Sequence, residues 1–211
     1  MNDEKTRIND MRLKIAILAT LLLAVISGSH AQNRFDACLF AGLNMGQLDG
    51  DDAGRYNHPG LRAGIGTSWD IGGGWRPVVE LAYTQKGSYI SEYNRRISAD
   101  YVEVAMMMSY NMLDERLRLA AGVAPGVLVR AKVTNSGELD QPSTDNFCGV
   151  DWLPLTFTAR YRFGVHLALE GRWQNSMLNV TKENGSGTYR IFRSNKGTFH
   201  RLVTFGLSYT F

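Results

Sequence analysis

Beyond residue 33, apolar and polar residues alternate with a period of two along most of the chain. The pattern is plainest in residues 199–211, FHRLVTFGLSYTF. Phe199, Arg201, Val203, Phe205, Leu207, Tyr209 and Phe211 share one face, which is apolar and aromatic apart from Arg201. His200, Leu202, Thr204, Gly206, Ser208 and Thr210 share the other, which is small and polar apart from Leu202. Such a strand is built to meet two different environments. It runs to Phe211 with no tail to cover its edge, so the edge must be paired elsewhere, as a closed barrel does.

Seven further segments carry the same alternation, at 34–46, 60–71, 75–89, 100–111, 116–131, 150–163 and 165–179. Each is long enough to cross a bilayer as a tilted strand, which takes about 9–11 residues. The connections alternate in length. Those near 47–59, 90–99, 132–149 and 180–197 are long and polar, whereas those near 72–74, 112–115 and 164 are tight. Short turns on one side and long loops on the other define the plan of an outer-membrane barrel. The predicted fold is therefore all-β: an eight-stranded antiparallel up-and-down transmembrane β-barrel, with short periplasmic turns and long extracellular loops. An even strand count puts both ends of the barrel on the periplasmic side.

The face opposite the apolar one carries Asp36, Arg62, Asp70, Arg76, Glu80, Lys86, Glu103, Arg118, Arg160, Arg162, Glu170 and Arg172. An eight-stranded barrel has an interior just wide enough for side chains. Charges held there must pair, since an isolated buried charge costs several kcal/mol. Both signs occur in similar number, which makes pairing feasible. The candidates for structural ion pairs in the lumen are Arg62, Glu80, Glu103, Arg118, Arg160, Arg162, Glu170 and Arg172, with Glu80, Glu103, Arg160 and Glu170 near its centre. Phe35, Trp69, Trp75, Tyr110, Tyr161, Phe163, Tyr209 and Phe211 gather at the tight-turn ends. Clustering at one end points to an interfacial aromatic girdle.

The N-terminal pattern is different. Residues 11–31 read MRLKIAILATLLLAVISGSHA, with basic Arg12 and Lys14, an apolar run from Ile15 to Ile26, and Ser29-His30-Ala31 as a small-x-small cleavage site. These are the parts of a secretory signal peptide, and the run is too short for a membrane helix. Residues 1–31 are thus expected to be removed, with Met11 the expected true start, because Asp3, Glu4 and Asp10 dilute the basic region. Residues 32–211, about 180 residues, form one expected domain. No Cys follows the cleavage site, so no lipoprotein anchor is expected.

Composition adjusts this picture little. A mean hydropathy of −0.20 looks soluble, but alternating barrels look the same. The 22 glycines against 5 prolines suit turns and close-packed walls. A net charge of +3 gives no nucleic-acid footprint. Cys38 and Cys148 are expected at opposite ends of their strands, as free thiols.

Candidate chemistry is sparse. His166 and His200 are expected at opposite rims, so they cannot share a metal, and with His58 they read as structural polar lining. Asp49, Asp51 and Asp52 with Gly50 and Gly54 resemble a calcium loop but lack the terminal acidic ligand. The sequons at Asn179 and Asn184 read as chance, and no nucleophile motif appears. No cofactor or metal is expected. Loop residues Tyr56, Tyr93, Arg95 and Arg96 have side chains suited to recognition.

Short motifs bring in a family. Glu80-Leu81-Ala82-Tyr83 followed by Lys86-Gly87, Tyr101-Val102-Glu103-Val104, Gly122-Val123-Ala124-Pro125-Gly126 and Leu178-Asn179-Val180 resemble the strand motifs of the PorT-family outer-membrane β-barrels. Ala105 stands where the family pattern has Pro. The resemblance spans roughly Phe35 to Phe211 and implies outer-membrane location in a Gram-negative bacterium. It also implies recognition by the barrel-assembly machinery through the terminal aromatics Tyr209 and Phe211.

The function expected is therefore that of a structural or interaction barrel in the outer membrane, with a plugged, ion-paired interior and no catalysis. Its partners are membrane lipid, the assembly machinery, and an unidentified extracellular ligand or envelope protein, with no nucleic acid. A small solute channel needs an open lumen. A secretion accessory follows from the family analogy alone. A lipid-modifying enzyme needs a Ser or His site at the outer rim. A secreted lipocalin-like barrel would turn its apolar face inward.

Overall fold

The computed structural model describes residues 35–49, 56, 58–90, 95–135, 138–139, 147–180 and 198–211. The signal segment 1–31, the acidic loop 50–54, Tyr93 and the sequon at Asn184 lie outside them. Among the described residues all regular structure is β: β1 (Phe35–Asp49), β2 (His58–Trp69), β3 (Trp75–Ile90), β4 (Arg95–Met112), β5 (Leu117–Val123), β6 (Gly126–Asn135), β7 (Glu138–Leu139), β8 (Val150–Asp151), β9 (Pro154–Arg162), β10 (Leu167–Ser176) and β11 (Phe199–Thr210).

These strands make eight staves, because β6 continues the stave begun by β5 and β8 leads into that of β9. The neighbours run β3-β2-β1-β11-β10-β9-β5-β4, and a further β3–β4 pairing closes the ring. The seam is β1 against β11, from Cys38↔Thr210 to Asp49↔Phe199. A closed ring leaves no ladder edge open to lipid.

Side-chain alternation now has two destinations. On β11, Phe205, Leu207 and Tyr209 are exposed, whereas Leu202, Thr204 and Ser208 are buried. The outward face of the barrel is a band of exposed Leu, Ile, Val, Met and aromatic residues, which is an apolar surface only lipid can cover. At the tight-turn end Trp75 stacks near Tyr110 (ring centroids 5.0 Å), Tyr209 near Phe211 (5.2 Å) and His166 on Tyr209 (5.3 Å).

The structure departs from the sequence pattern in four places. Within the expected loop 90–99, residues 95–99 are strand. The β3–β4 ladder runs out to Ile90↔Arg95. Ile97, Ala99 and Tyr101 point inward and are buried, so the alternation of β4 simply begins earlier than its polar residues indicate. The fifth and sixth staves are each interrupted, at Ala124-Pro125 and at Trp152-Leu153. Pro125 has no N–H to give a ladder, and the interruption is bridged by Val104 N–H to Pro125 O (2.9 Å) and Ala124 N–H to Pro154 O (2.9 Å). Phe199, expected in lipid, is buried. Asp70, expected on the inner face, instead caps a turn by accepting the Gly72 N–H at 2.7 Å.

Two of the tight turns use left-handed backbone. Gly72, Gly73 and Gly74 (φ 96°, 64° and 82°) supply it freely between β2 and β3. Between β4 and β5 the same region is occupied by Leu113, Asp114 and Glu115 (φ 52°, 51° and 64°). Each such non-glycine residue costs roughly 1–2 kcal/mol. Asp114→Gly is therefore expected to raise unfolding stability by about 1 kcal/mol, read from urea unfolding in lipid. An unchanged or lower midpoint would contradict the strain.

Candidate functional site

The described residues concentrate their polar chemistry inside the barrel, in layers. The middle layer holds two carboxylates and three guanidiniums. Glu80 accepts from Arg62 (Nη2–Oε2 2.8 Å), from Arg172 on the same oxygen and from Arg160 on Oε1. Glu170 accepts from Arg160 (Nη2–Oε2 2.6 Å), Arg172 (Nε–Oε1 3.3 Å) and Arg62 (Nη1–Oε1 3.4 Å). Local register builds this layer: Glu170 and Arg160 are direct partners on β10 and β9. Arg62 also lies over the Phe40 ring, 4.2 Å from its centroid, which adds a cation–π contact.

The layer nearer the outer loops reverses the balance. Lys86 Nζ reaches Glu103 (2.7 Å) and Asp151 (3.2 Å). Glu103 also accepts from Gln174 Nε2 (2.7 Å) and Thr84 Oγ1 (2.8 Å), and Asp151 from Ser176 Oγ. Tyr101 sits beneath Lys86, with the ring centroid 4.7 Å from Nζ, and its hydroxyl lies 3.4 Å from His200 Nε2. One layer thus carries one excess positive charge and the next one excess negative charge. Together four cations face four carboxylates, and all are at least nine-tenths buried.

Above these layers, Leu48, Ile97, Ala131, Val133, Phe147 and Val180 form a buried apolar cluster with Leu128 packed against it. Below them, at the periplasmic mouth, Asp36 Oδ2 bridges Arg76 (2.7 Å) and Arg118 (3.5 Å). The mouth encloses a recess of about 50 Å³, and a gap of about 10 Å³ lies beside Val78, Met107 and Thr158. That is room for a few waters.

The site residues expected from sequence fall into two groups. Arg62, Glu80, Glu103, Arg160, Glu170 and Arg172 lie in the buried layers. Arg118 lies at the mouth, and Arg162 lies on the rim, where it pairs with exposed Glu115 at 3.4 Å. Placing Arg162 in the lumen is corrected by this geometry: it is the last residue of β9, where the chain has left the interior. Asp151 and Gln174 were not singled out from sequence, whereas His200, read as polar lining, is buried beside Tyr101 of the fourth-strand motif. Asp151 was hidden by the interruption at Trp152-Leu153. Those two residues are both exposed, and they flip the parity that an uninterrupted strand would keep.

The histidines stay apart by function. His58 Nε2 lies 3.3 Å from Ser98 Oγ, His166 Nδ1 lies 2.8 Å from Thr210 O, and His200 faces Tyr101. Among the described residues no cluster is suited to a metal ion. Cys38 and Cys148 are thiols rather than a disulfide, and Cys38 is buried beside Arg160 at 3.9 Å. Tyr56 and Arg96 are exposed at the outer end.

A closed eight-stave barrel with a lipid-facing exterior and a salted interior is the architecture of an integral outer-membrane protein. The chain belongs to the outer membrane protein beta-barrel domain family, whose family model matches residues 30–182. It is an outer-membrane protein. Among solved structures it is similar to Ail, the attachment invasion locus protein of Yersinia pestis. Identity is 10%, the match covers 84% of this chain and 99% of that one, and the TM-score is 0.50, in a structure of Ail bound to the heparin analogue sucrose octasulfate. A second Ail structure gives 12% identity over the same coverage with a TM-score of 0.50. Neisserial surface protein A matches at 12% identity over 84% of this chain and 97% of that one, with a TM-score of 0.48. The Ail likeness is one of fold. No curated protein matches the chain.

Proposed function

We propose that this protein is a structural or interaction barrel that anchors its outer loops at the cell surface, conducts no solute and catalyses no reaction. The observation that carries this reading is the interior, where neutralised ion-pair layers lie under an apolar cluster. Such an interior stabilises a rigid scaffold and blocks a path. Insertion of the purified barrel into a planar bilayer is the test. The expected result is no discrete conductance step above the bare membrane, and reproducible steps would establish the channel instead.

The strand motifs around Glu80, Tyr101, Gly122 and Leu178 support a finer place in the PorT family, and with it an accessory role in protein secretion as the second reading. A deletion strain that secretes normally removes that role. Residues 1–31 are proposed as a cleaved signal peptide. Tyr209 and Phe211 are proposed as the contact for the assembly machinery, supported by their exposure at the periplasmic end of β11. What the outer loops bind is proposed only as an extracellular ligand or envelope protein.

A further inference from the structure

We propose that the periplasmic rim between the ends of β5 and β9 is a binding site for one glycerophospholipid with a primary amine in its headgroup. The inference rests on the orientation that puts the tight turns at the periplasmic leaflet.

An open recess of about 600 Å³ lies there at the rim, lined by Asp114, Arg116, Tyr161, Arg162, Phe163, Gly164 and Val165, and its two arginines also border the recess of the mouth. Its apolar parts are open, Val165 most of all. Tyr161, Phe163 and Val165 are 44%, 55% and 81% exposed, and Leu113 on the adjoining turn is 64% exposed. Apolar exposure of that size, continuous with the aromatic girdle, places the recess at headgroup level with acyl chains alongside.

The charged groups are set at the same level. Arg162 N–H donates to Arg116 O at 2.7 Å across the β5–β9 ladder, so the two arginines are rooted side by side. Arg162 is only loosely held by Glu115 at 3.4 Å, both side chains being partly exposed. Among the described residues, neither Arg116 nor Asp114 has an ion pair. The recess therefore offers a guanidinium pair suited to a phosphodiester and a separate carboxylate suited to an ammonium.

This arrangement discriminates among headgroups. Arg116 and Arg162 are balanced by Asp114 and Glu115, so the four groups sum to zero. An anionic headgroup would satisfy the arginines and leave Asp114 facing it unpaired. A choline headgroup carries its positive charge on methylated nitrogen, which donates no hydrogen bond. A primary ammonium beside a phosphodiester satisfies both ends at once, with charge-assisted hydrogen bonds to each.

The test is native mass spectrometry of the folded barrel in detergent. It is mixed with equal amounts of phosphatidylethanolamine, phosphatidylcholine and phosphatidylglycerol of the same acyl chains. Soluble glycerophosphoethanolamine forms a separate arm, and heat-modifiable gel mobility confirms folding of each variant. One phosphatidylethanolamine is expected to be retained about tenfold over the other two, the equivalent of one charge-assisted hydrogen bond. Asp114→Asn should bring phosphatidylethanolamine down to the level of phosphatidylcholine, and Arg116→Gln should lower retention of all three. Weak binding of the soluble headgroup is expected, because it lacks the chains that cover Tyr161 and Phe163. Equal retention of the three lipids by the unaltered barrel overturns the proposal. So does an undiminished preference in folded Asp114→Asn, or binding of the soluble headgroup as tight as that of the lipid.

Discussion

Glu80→Gln is expected to be among the most damaging single substitutions in this barrel, costing about 3–5 kcal/mol of unfolding stability. Glu80 is fully buried and accepts from Arg62, Arg160 and Arg172 at once. Removing its charge leaves three guanidiniums facing Glu170 alone, in a place where water cannot screen them. The measurement is reversible urea unfolding in lipid vesicles, followed by tryptophan fluorescence and by the heat-dependent gel shift. Glu80→Gln combined with Arg172→Met restores the charge balance and should recover a substantial part of the loss. Arg162→Gln is the control. It removes a solvent-exposed pair, and exposed pairs contribute only about 0–1 kcal/mol. A Glu80→Gln barrel as stable as Arg162→Gln would refute the account of the interior.

Lys86→Met should be comparably costly for the opposite reason. It leaves Glu103 and Asp151 buried without a cation. It also empties the position over the Tyr101 ring, a contact worth roughly 2 kcal/mol when desolvated. The expected total loss is about 3–5 kcal/mol. Asp151→Asn introduced into Lys86→Met removes one stranded charge while keeping the shape of the side chain. The double variant should therefore be more stable than Lys86→Met alone, and the non-additivity of the cycle measures the pair. Strictly additive losses would mean that Lys86 and Asp151 do not act together.

The contrast between these residues shows what a linear pattern carries. Arg62, Glu80, Glu103, Arg160, Glu170 and Arg172 sit in uninterrupted stretches, where counting by twos assigns a face. The seam strand and most strand ends were legible for the same reason. Asp151 was illegible because the Trp152-Leu153 interruption reverses the parity just before β9, and nothing local announces it. Arg95 to Ala99 read as a loop because Arg95, Arg96 and Ser98 are polar, although Ile97 and Ala99 continue the inward face. Pairing is also a three-dimensional property. The alternation can bring Glu80 to the lumen, but only the ring order of the staves brings Arg160 and Arg172 to meet it. The meeting of Tyr101 with His200 was not legible on that ground, since their contact spans 99 positions.

The order of the staves bears on how such a barrel can be made. Glu80 meets Arg160 and Arg172 across separations of 80 and 92 residues, and Arg62 meets Glu170 across 108. The N-terminal staves alone would carry Arg62, Glu80, Lys86 and Glu103, while the hairpin β9–β10 alone would carry Arg160, Glu170 and Arg172. Each part can form some pairs alone, Arg62–Glu80 and Lys86–Glu103 in one and Arg160–Glu170 in the other, but neither completes its set, and a half-built wall would present incompletely paired groups to hydrocarbon. Entry into the bilayer and joining of Cys38 to Thr210 along the seam are therefore expected to be coupled. The interior acts as a check on completeness, since only a finished ring gives Glu80 all three of its arginines and Asp151 its lysine.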